Sequence, residues 1–211
     1  MSDATAKTSL TFFEELAEQR WDDHRFYHQS RINQSLHLLS ACCFLVTYAL
    51  IPTYPVAAAF FGWFIAMWVR QLGHFFFEPK GFDKVNGVSF EHKEEIKVGF
   101  NLQRKVILLL AWLAVPALVA LVPAVNDLVA RWSNTDEVVH NTAVAWLGLA
   151  AAGLLGRTFY LCATRSLQTG LVWFTKILTD PIHDIKMYHR APLALLRGEL
   201  IDPMANVRGG H

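Results

Sequence analysis

The sequence predicts an all-α protein, a polytopic membrane helix bundle of about four transmembrane helices with additional amphipathic interfacial helices. Hydrophobic residues make up 53% of the 211 residues and charged residues only 18%, below the roughly 25% usual in soluble domains. The apolar residues lie in long blocks instead of being spread evenly, which is typical of membrane proteins. The net charge of +1 gives no indication of a nucleic-acid partner.

Four apolar blocks define the predicted spans. They cover residues 36–52, 56–72, 106–125 and 142–163. The first two are each about 17 residues long, near the lower limit for crossing a bilayer, and the Pro52-Thr-Tyr-Pro55 stretch between them predicts a tight turn. These two spans should therefore form a hairpin that returns residues 37 and 74 to the same membrane face.

Amphipathic segments flank these spans. Residues 9–28 predict an amphipathic helix, residues 1–8 are expected to be disordered, and residues 89–104 predict a short helix in a charged loop. Residues 164–180 are also amphipathic, but Lys176 interrupts the apolar run. We therefore expect an interfacial helix that ends at Asp180-Pro181, with a fifth span as the alternative.

Positive charge is concentrated on one side of this predicted bundle. With four spans, the N-terminus, the 75–105 loop and the C-terminus share a face that, with Arg70 and Arg157 at the ends of their spans counted to it, holds 18 of the 19 Lys and Arg residues. The positive-inside rule then places both termini in the cytoplasm, in a bacterial inner membrane or the endoplasmic reticulum. The chain is expected to be a single integral membrane domain, residues 1–211, with three parts: a cytoplasmic amphipathic helix (1–35), a four-span bundle (36–163), and an interfacial helix with a cytoplasmic tail (164–211).

Most of the histidines fall near the predicted cytoplasmic mouth of the bundle. They are His28, His37, His74, His92, His183 and His189. Neutral imidazole is a common ligand of iron and zinc, and a mixed shell of His and carboxylate ligands with open positions lets iron bind oxygen and substrate. We therefore predict a metal site with His28, His37 and His74 as catalytic ligands and His183 or His189 completing the shell.

Residues close to these histidines have more than one possible role. His24 lies four residues before His28, so both fall on one helical face, although a structural or exposed role is the alternative. Asn33 could orient a histidine or cap the first span. Glu78 could ligate the metal, accept a hydrogen bond from an imidazole or form a surface ion pair.

Three further residues lie at the same mouth. Arg70 and Lys80 could meet a carboxylate on a substrate, or they could anchor the chain to lipid headgroups. His92 lies among the charged residues 91–95, which favours a solvated helix face, and a supporting role near the metal is the alternative.

Two spaced motifs carry a resemblance to a known family. Tyr27-His28-x4-Asn33-x3-His37 is followed by Gln71-x-Gly73-His74-x3-Glu78. Over roughly residues 26–80, this pattern resembles the membrane-embedded 2-hydroxy fatty acid dioxygenases of fungal α-oxidation and their bacterial relatives. The resemblance implies an iron(II) cofactor, mononuclear or dinuclear, with dioxygen as co-substrate, and removal of one carbon from a 2-hydroxy fatty acid. It also implies supporting roles for Tyr27, Asn33, Gln71 and Glu78.

The favoured function is thus a membrane iron oxygenase whose lipid or fatty acyl substrate enters sideways from the bilayer. One alternative is a non-enzymatic His-rich metal-binding membrane protein or transporter, but the spans carry almost no ionisable residue apart from Arg157, and a transporter should carry them near mid-membrane. Another is a lipid hydroxylase or desaturase. Such enzymes carry HxxxH and HxxHH boxes; His24-x3-His28 has the first form, and the second is absent. The oligomeric state is not indicated.

Overall fold

The computed structural model describes residues 10–96, 102–122, 124 and 135–204. The regular elements in these residues are helices, and pairing between extended segments is limited to isolated β-bridges. The predicted all-α class is confirmed. The expected disorder of residues 1–8 concerns residues outside the described part. The helices are α1 (Phe12–Tyr27), α2 (Arg31–Leu50), α3 (Pro55–Phe77), α4 (Phe90–Ile96), α5 (Leu102–Leu113), α6 (Val115–Leu121), α7 (Thr135–Thr164), α8 (Leu167–Tyr188) and α9 (Ala191–Leu196).

Two helices, α3 and α7, are long and apolar enough to cross a membrane. They have 23 and 30 residues, and their apolar windows are only 28% and 17% buried. The first predicted span is helical in α2, but its polar residues make it less apolar than the two candidates. The third is divided into α5 and α6, which meet at Ala114 ahead of Pro116. Within the part of the chain that the structure describes, two helices are therefore candidate spans, and the prediction of four is not confirmed.

Helix α2 lies at the centre of the bundle and packs against α3, α8 and α9. Its largest fully buried side chains are polar, namely Asn33, Gln34 and His37, whereas Leu39 and Val46 are exposed. This distribution is the reverse of that in a water-soluble helix, whose apolar stripe faces the core. The interior of this end of the molecule is therefore built from hydrogen bonds, and the apolar residues face outwards.

Helix α8 is longer than the sequence predicts. It continues through Pro181 to Tyr188, so Asp180-Pro181 does not end the helix. A proline inside a helix costs about 3 kcal/mol, because it lacks the N–H donor and crowds the preceding turn. The turns beyond Pro181 bury Asp184 and Tyr188, and α8 packs against α1, α2 and α7. These contacts offset the cost of the proline.

Helices α2 and α3 approach each other most closely at Gly73. A Cβ atom on this residue would lie 1.9 Å from Asn33 Oδ1 and 2.9 Å from Asn33 Cγ. Asn33 is fully buried, and its side-chain amide is hydrogen-bonded to Tyr27 O and Glu78, so it has no room to withdraw. Glycine is required here because it lets the end of α3, which carries His74, reach α2.

Gly73→Ala should therefore destabilise the protein by about 1–3 kcal/mol or more, the usual cost of overpacking a rigid contact. Thermal unfolding of the detergent-solubilised protein, followed by circular dichroism, measures the effect. Gly153→Ala is the matched control, because Gly153 is also helical and a Cβ atom there meets nothing within 4 Å. Equal unfolding temperatures for the two variants would contradict the close approach at Gly73.

Candidate metal centre

The three histidines at the centre of the candidate site come from three different helices. His28 is the C-cap of α1, His37 lies in the second turn of α2, and His74 lies in the π-helical end of α3, Gly73–Phe77. A π-helical segment within a helix is often found at a functional site, because the wider turn changes the direction of a side chain. Here it occurs where the chain carries His74 towards α2.

The Nε2 atoms of these histidines lie close together. Nε2 of His37 is 3.3 Å from Nε2 of His28 and 3.1 Å from Nε2 of His74, and the possible ligand atoms of the three residues all lie within 4.8 Å of one another. With metal–nitrogen bonds of about 2.1 Å, two nitrogens on one ion are separated by about 3.0 Å at right angles and about 3.4 Å at a tetrahedral angle. The two separations measured from His37 thus fit ligands of one metal ion, and the third histidine lies within the same group.

His28 has the protonation expected of a metal ligand. Its Nδ1 lies 3.0 Å from the backbone oxygen of Asp23, which can only accept a hydrogen bond. Nδ1 therefore carries the proton, and the lone pair of Nε2 faces the other two rings. Burial lowers the pKa of His28 to about 3, so the ring stays neutral. A neutral imidazole fixed by a hydrogen bond at its other nitrogen is the usual form of a metal-binding histidine.

His37 has two candidate partners at its outer nitrogen. Arg70 Nε donates a hydrogen bond to Nδ1 at 3.1 Å, and Asp184 Oδ2 lies 3.7 Å from the same atom. Arg70 and Asp184 also form an ion pair. With Arg70 as the donor, Nδ1 of His37 is the acceptor, so the ring proton of His37 lies on Nε2 in this structure. For Nε2 to bind a metal, that proton would have to move to Nδ1 in place of the hydrogen bond from Arg70. Asp184 reaches His37 through its ion pair with Arg70, which makes it a candidate positioning residue.

Glu78 is buried, and its carboxylate is directed at the α1–α2 junction. It accepts hydrogen bonds from Gln29 N at 3.1 Å, Ser30 N at 3.1 Å and Asn33 Nδ2 at 2.7 Å. Burial raises the pKa of Glu78 to about 7, although these three donors oppose the shift. Glu78 thus joins the chain just beyond α3 to the start of α2, which makes it a support for the site. Of its three possible roles, this geometry favours support.

Asn33 and Tyr27 complete the same junction. Asn33 Nδ2 also donates to Tyr27 O at 2.8 Å, and Ser30 Oγ accepts from Asn33 N as the N-cap of α2. The Tyr27 ring stands edge-on to the His74 ring, with 6.4 Å between their centroids. Of the expected supporting residues, Tyr27 and Asn33 are therefore in contact with the site. Gln71 is half-buried on α3, and its Oε1 has no hydrogen-bond partner among the described residues.

The C-terminal segment crosses the outside of this junction. Arg31 N donates to Leu200 O, and Asp202 N donates to Gln29 O. Gln34 Nε2 donates to both His28 O and Asp202 Oδ2 at 2.8 Å. The backbone that carries His28 is therefore held from one side by Glu78 and from the other by the C-terminal segment.

The structure does not bring the remaining candidate histidines into the group of three. His183 is half-buried and lines a separate polar cavity, together with His24. His189 is exposed, and its Nδ1 lies 3.0 Å from Lys186 O. His92 is exposed on α4. Of the five predicted metal ligands, His28, His37 and His74 thus converge, while His183 and His189 lie apart from them.

A regular spacing on α8 could have revealed the residues that the sequence reading missed. Lys176, Asp180, Asp184 and Tyr188 recur every four residues, which places them on one helical face. All four line the polar cavity beside His28. Because we expected the helix to end at Asp180-Pro181, the second half of this polar face was not recognised.

Comparisons of the chain with protein-family models, with characterised proteins and with solved structures found no match. Function must therefore be inferred from the residues of the site and from their geometry.

The junction around Glu78 can be tested with Glu78→Gln. This substitution replaces one accepting carboxylate oxygen by an NH2 group, which then faces other N–H donors. The free energy of unfolding should therefore fall by about 1–3 kcal/mol. Thermal unfolding measures the loss, with the exposed Glu199 changed to Gln as the control. If Glu78→Gln and Glu199→Gln unfold at the wild-type temperature, Glu78 does not hold the junction.

The positioning role of Asp184 can be tested with Asp184→Asn. Loss of a carboxylate that orients a histidine ligand typically weakens metal binding about 10- to 100-fold. Competition of the purified protein with a chromogenic zinc chelator measures the affinity. Asp136→Asn, at an exposed position in the first turn of α7, should bind zinc as the wild type does. Unchanged affinity in a folded Asp184→Asn variant would exclude the role.

Proposed function

We propose that this chain is an iron(II)-dependent membrane oxygenase that acts on a fatty acyl substrate, with a 2-hydroxy fatty acid as the favoured substrate. The observation that carries the proposal is the convergence of the Nε2 atoms of His28, His37 and His74 at separations of 3.1 and 3.3 Å. The same residues belong to the two motifs that resemble the 2-hydroxy fatty acid dioxygenases. The Nε2 separations in the structure and the residue spacing of the two motifs thus support the same three ligands.

The donor set fits iron. Imidazole is a common ligand of iron, and three such ligands would leave coordination positions for oxygen and substrate. When bound, iron(II) would supply the one-electron redox chemistry that allows dioxygen to react with an organic molecule. The protein holds the three rings together, and the Asp23 carbonyl fixes the proton of His28 on Nδ1.

The proposed reaction needs no external reductant. A 2-hydroxy fatty acid and one dioxygen give the acid that is one carbon shorter, carbon dioxide and water, which balances all atoms. The bond between the carboxyl carbon and C2 breaks, C2 is oxidised from an alcohol to a carboxylic acid, and dioxygen is reduced. Both the electrons and the protons of the water come from the substrate.

Membrane placement is part of the proposal. Helices α3 and α7 pass the length and hydropathy criteria for a span, and most of their surface is exposed. Exposed apolar surface of this extent is typical of a face covered by lipid or by another chain. We place the protein in a bilayer with both termini in the cytoplasm, following the distribution of Lys and Arg. A lipid substrate would then reach the three histidines from the side.

Metal analysis tests the site. After anaerobic reconstitution with iron(II), the wild type should retain about one iron per chain, and His74→Ala should lose it, because only two of the three imidazoles remain. His189→Ala is the matched control, since His189 is exposed and apart from the group; this variant should retain the metal. If wild type and His74→Ala both carry no stoichiometric metal, the site hypothesis fails.

Product analysis tests the reaction. The iron-loaded protein in lipid nanodiscs should consume dioxygen with 2-hydroxyhexadecanoate and release pentadecanoate and carbon dioxide, measured by mass spectrometry. A protein that binds metal at the three histidines but consumes no dioxygen with 2-hydroxy acids would instead be a non-enzymatic metal-binding membrane protein.

A further inference from the structure

A second polar feature lies directly beside the three histidines. It is the polar cavity between α1, α3 and α8, with a volume of about 30 Å³. Its volume corresponds to about two water molecules, close to the size of one carboxylate group. His28 and Arg70 belong to the wall of the cavity and also to the candidate metal centre. The nitrogen-bearing side chains that line it are Arg20, His24, His28, Arg70, Lys176 and His183, and its carboxylates are Asp23, Asp180 and Asp184.

His24 directs an unpartnered nitrogen within this wall. The side chain is 4% exposed, its Nδ1 lies 3.0 Å from the hydroxyl of Tyr188, and its Nε2 is buried without a hydrogen-bond partner. A phenol is a better donor than acceptor, so Tyr188 donates to Nδ1 and the proton of His24 lies on Nε2. A buried N–H group without an acceptor is costly.

Arg20 adds a second donor of the same kind. Its Nη2 donates to Thr179 Oγ1 at 2.6 Å, but its Nε is buried without a hydrogen-bond partner, and Asp180 Oδ1 lies 3.6 Å away. The carboxylates of the cavity are already engaged by the other cations. Lys176 pairs with Asp23 and Asp180, and Arg70 pairs with Asp184. The unsatisfied groups of the wall are thus donors, and the missing partner is an acceptor.

We infer that the polar cavity binds the carboxylate head group of the acyl substrate, with Arg20 and His24 as its recognition residues. A carboxylate offers two oxygens with several lone pairs, which matches the two unpartnered donors. Because His28 forms part of the wall, a carboxylate in the cavity brings the adjacent carbon C2 towards the three histidines. This inference rests on the proposed function and extends it, since it explains how a fatty acid would be positioned with C2, and no other carbon, at the metal.

The first experiment needs no variant. The full chain in nanodiscs is loaded with zinc, which is redox-inert, so that binding is measured without turnover. Equilibrium dialysis with radiolabelled 2-hydroxyhexadecanoate and with its methyl ester gives the two affinities. The acid should bind about 10- to 100-fold more tightly, because the ester lacks the charge that strengthens hydrogen bonds to Arg20 and His24.

Two variants then assign the difference to the cavity. Arg20→Gln and His24→Phe should each lose about 10-fold or more of the affinity for the acid and change the affinity for the ester less than about 2-fold. Zinc affinity should stay at the wild-type value, which verifies that the fold and the three histidines are intact. Arg165→Gln is the control, because Arg165 is exposed in the turn between α7 and α8.

The outcomes separate this inference from the proposed function. If acid and ester bind wild type equally, the carboxylate assignment is overturned, even when the iron form consumes dioxygen with 2-hydroxy acids. It is also overturned if lysophosphatidate displaces the labelled acid at a lower concentration than the unlabelled acid does, because the cavity would then prefer a phosphate. If the acid binds selectively but the iron form gives no product, the cavity assignment stands and the oxygenase proposal fails.

Discussion

The contact on which this site most depends is the one between the Glu78 carboxylate and the start of α2. Three N–H groups, from Gln29, Ser30 and Asn33, converge on this one side chain. A carboxylate at a helix N-terminus also interacts favourably with the helix dipole. Because Glu78 follows α3 directly, the contact fixes the distance between the chain that carries His74 and the chain that carries His28 and His37. Gly73 then permits the backbone approach that this distance requires.

Around this contact, the interior is polar and the surface of the bundle is apolar. Hydrogen bonds buried away from water are strengthened by the low local dielectric, and they are specific because each group must find its own partner. The buried face of α2 and the C-terminal segment form such a network, in which Gln34 connects His28 to Asp202. A network of this kind can hold imidazole rings in fixed orientations, as a metal centre requires.

The two polar regions of the molecule differ in their electrostatics. At the three histidines, the Nε2 atoms converge, and His28 directs a lone pair at the other two rings. In the polar cavity, every carboxylate already has a cation, and unpartnered N–H donors remain at Arg20 and His24. The first region thus offers nitrogen ligands and the second lacks an acceptor. A metal ion would be complementary to the first region and a substrate carboxylate to the second, and Arg70 borders both.

By itself, the sequence determined the helical class and the ligand candidates His28, His37 and His74. Long apolar blocks and short motif spacings are local properties of the sequence. Helical periodicity is therefore enough to predict the helices from them, and the face of a helix on which each motif residue lies. The hairpin of α2 and α3 also followed, because the short Pro52-to-Pro55 turn leaves few other arrangements. The number of membrane spans did not follow from the sequence. The moderate hydropathy of a helix such as α2 is compatible with a membrane span and also with a helix whose polar face is buried inside the protein.

The tertiary structure decided the roles of the polar residues. Glu78 was compatible with ligation, support or a surface ion pair, and only the position of the α2 N-terminus distinguishes these roles. The tertiary structure also decided where Asp184 lies, because α8 continues past Pro181 when packing against α1 and α2 offsets the lost hydrogen bond. It places Arg20 of α1 in the wall of the same cavity. His183 and His189 lie apart from the three histidines, because the direction of a side chain on a packed helix depends on its neighbours more than on its distance along the chain.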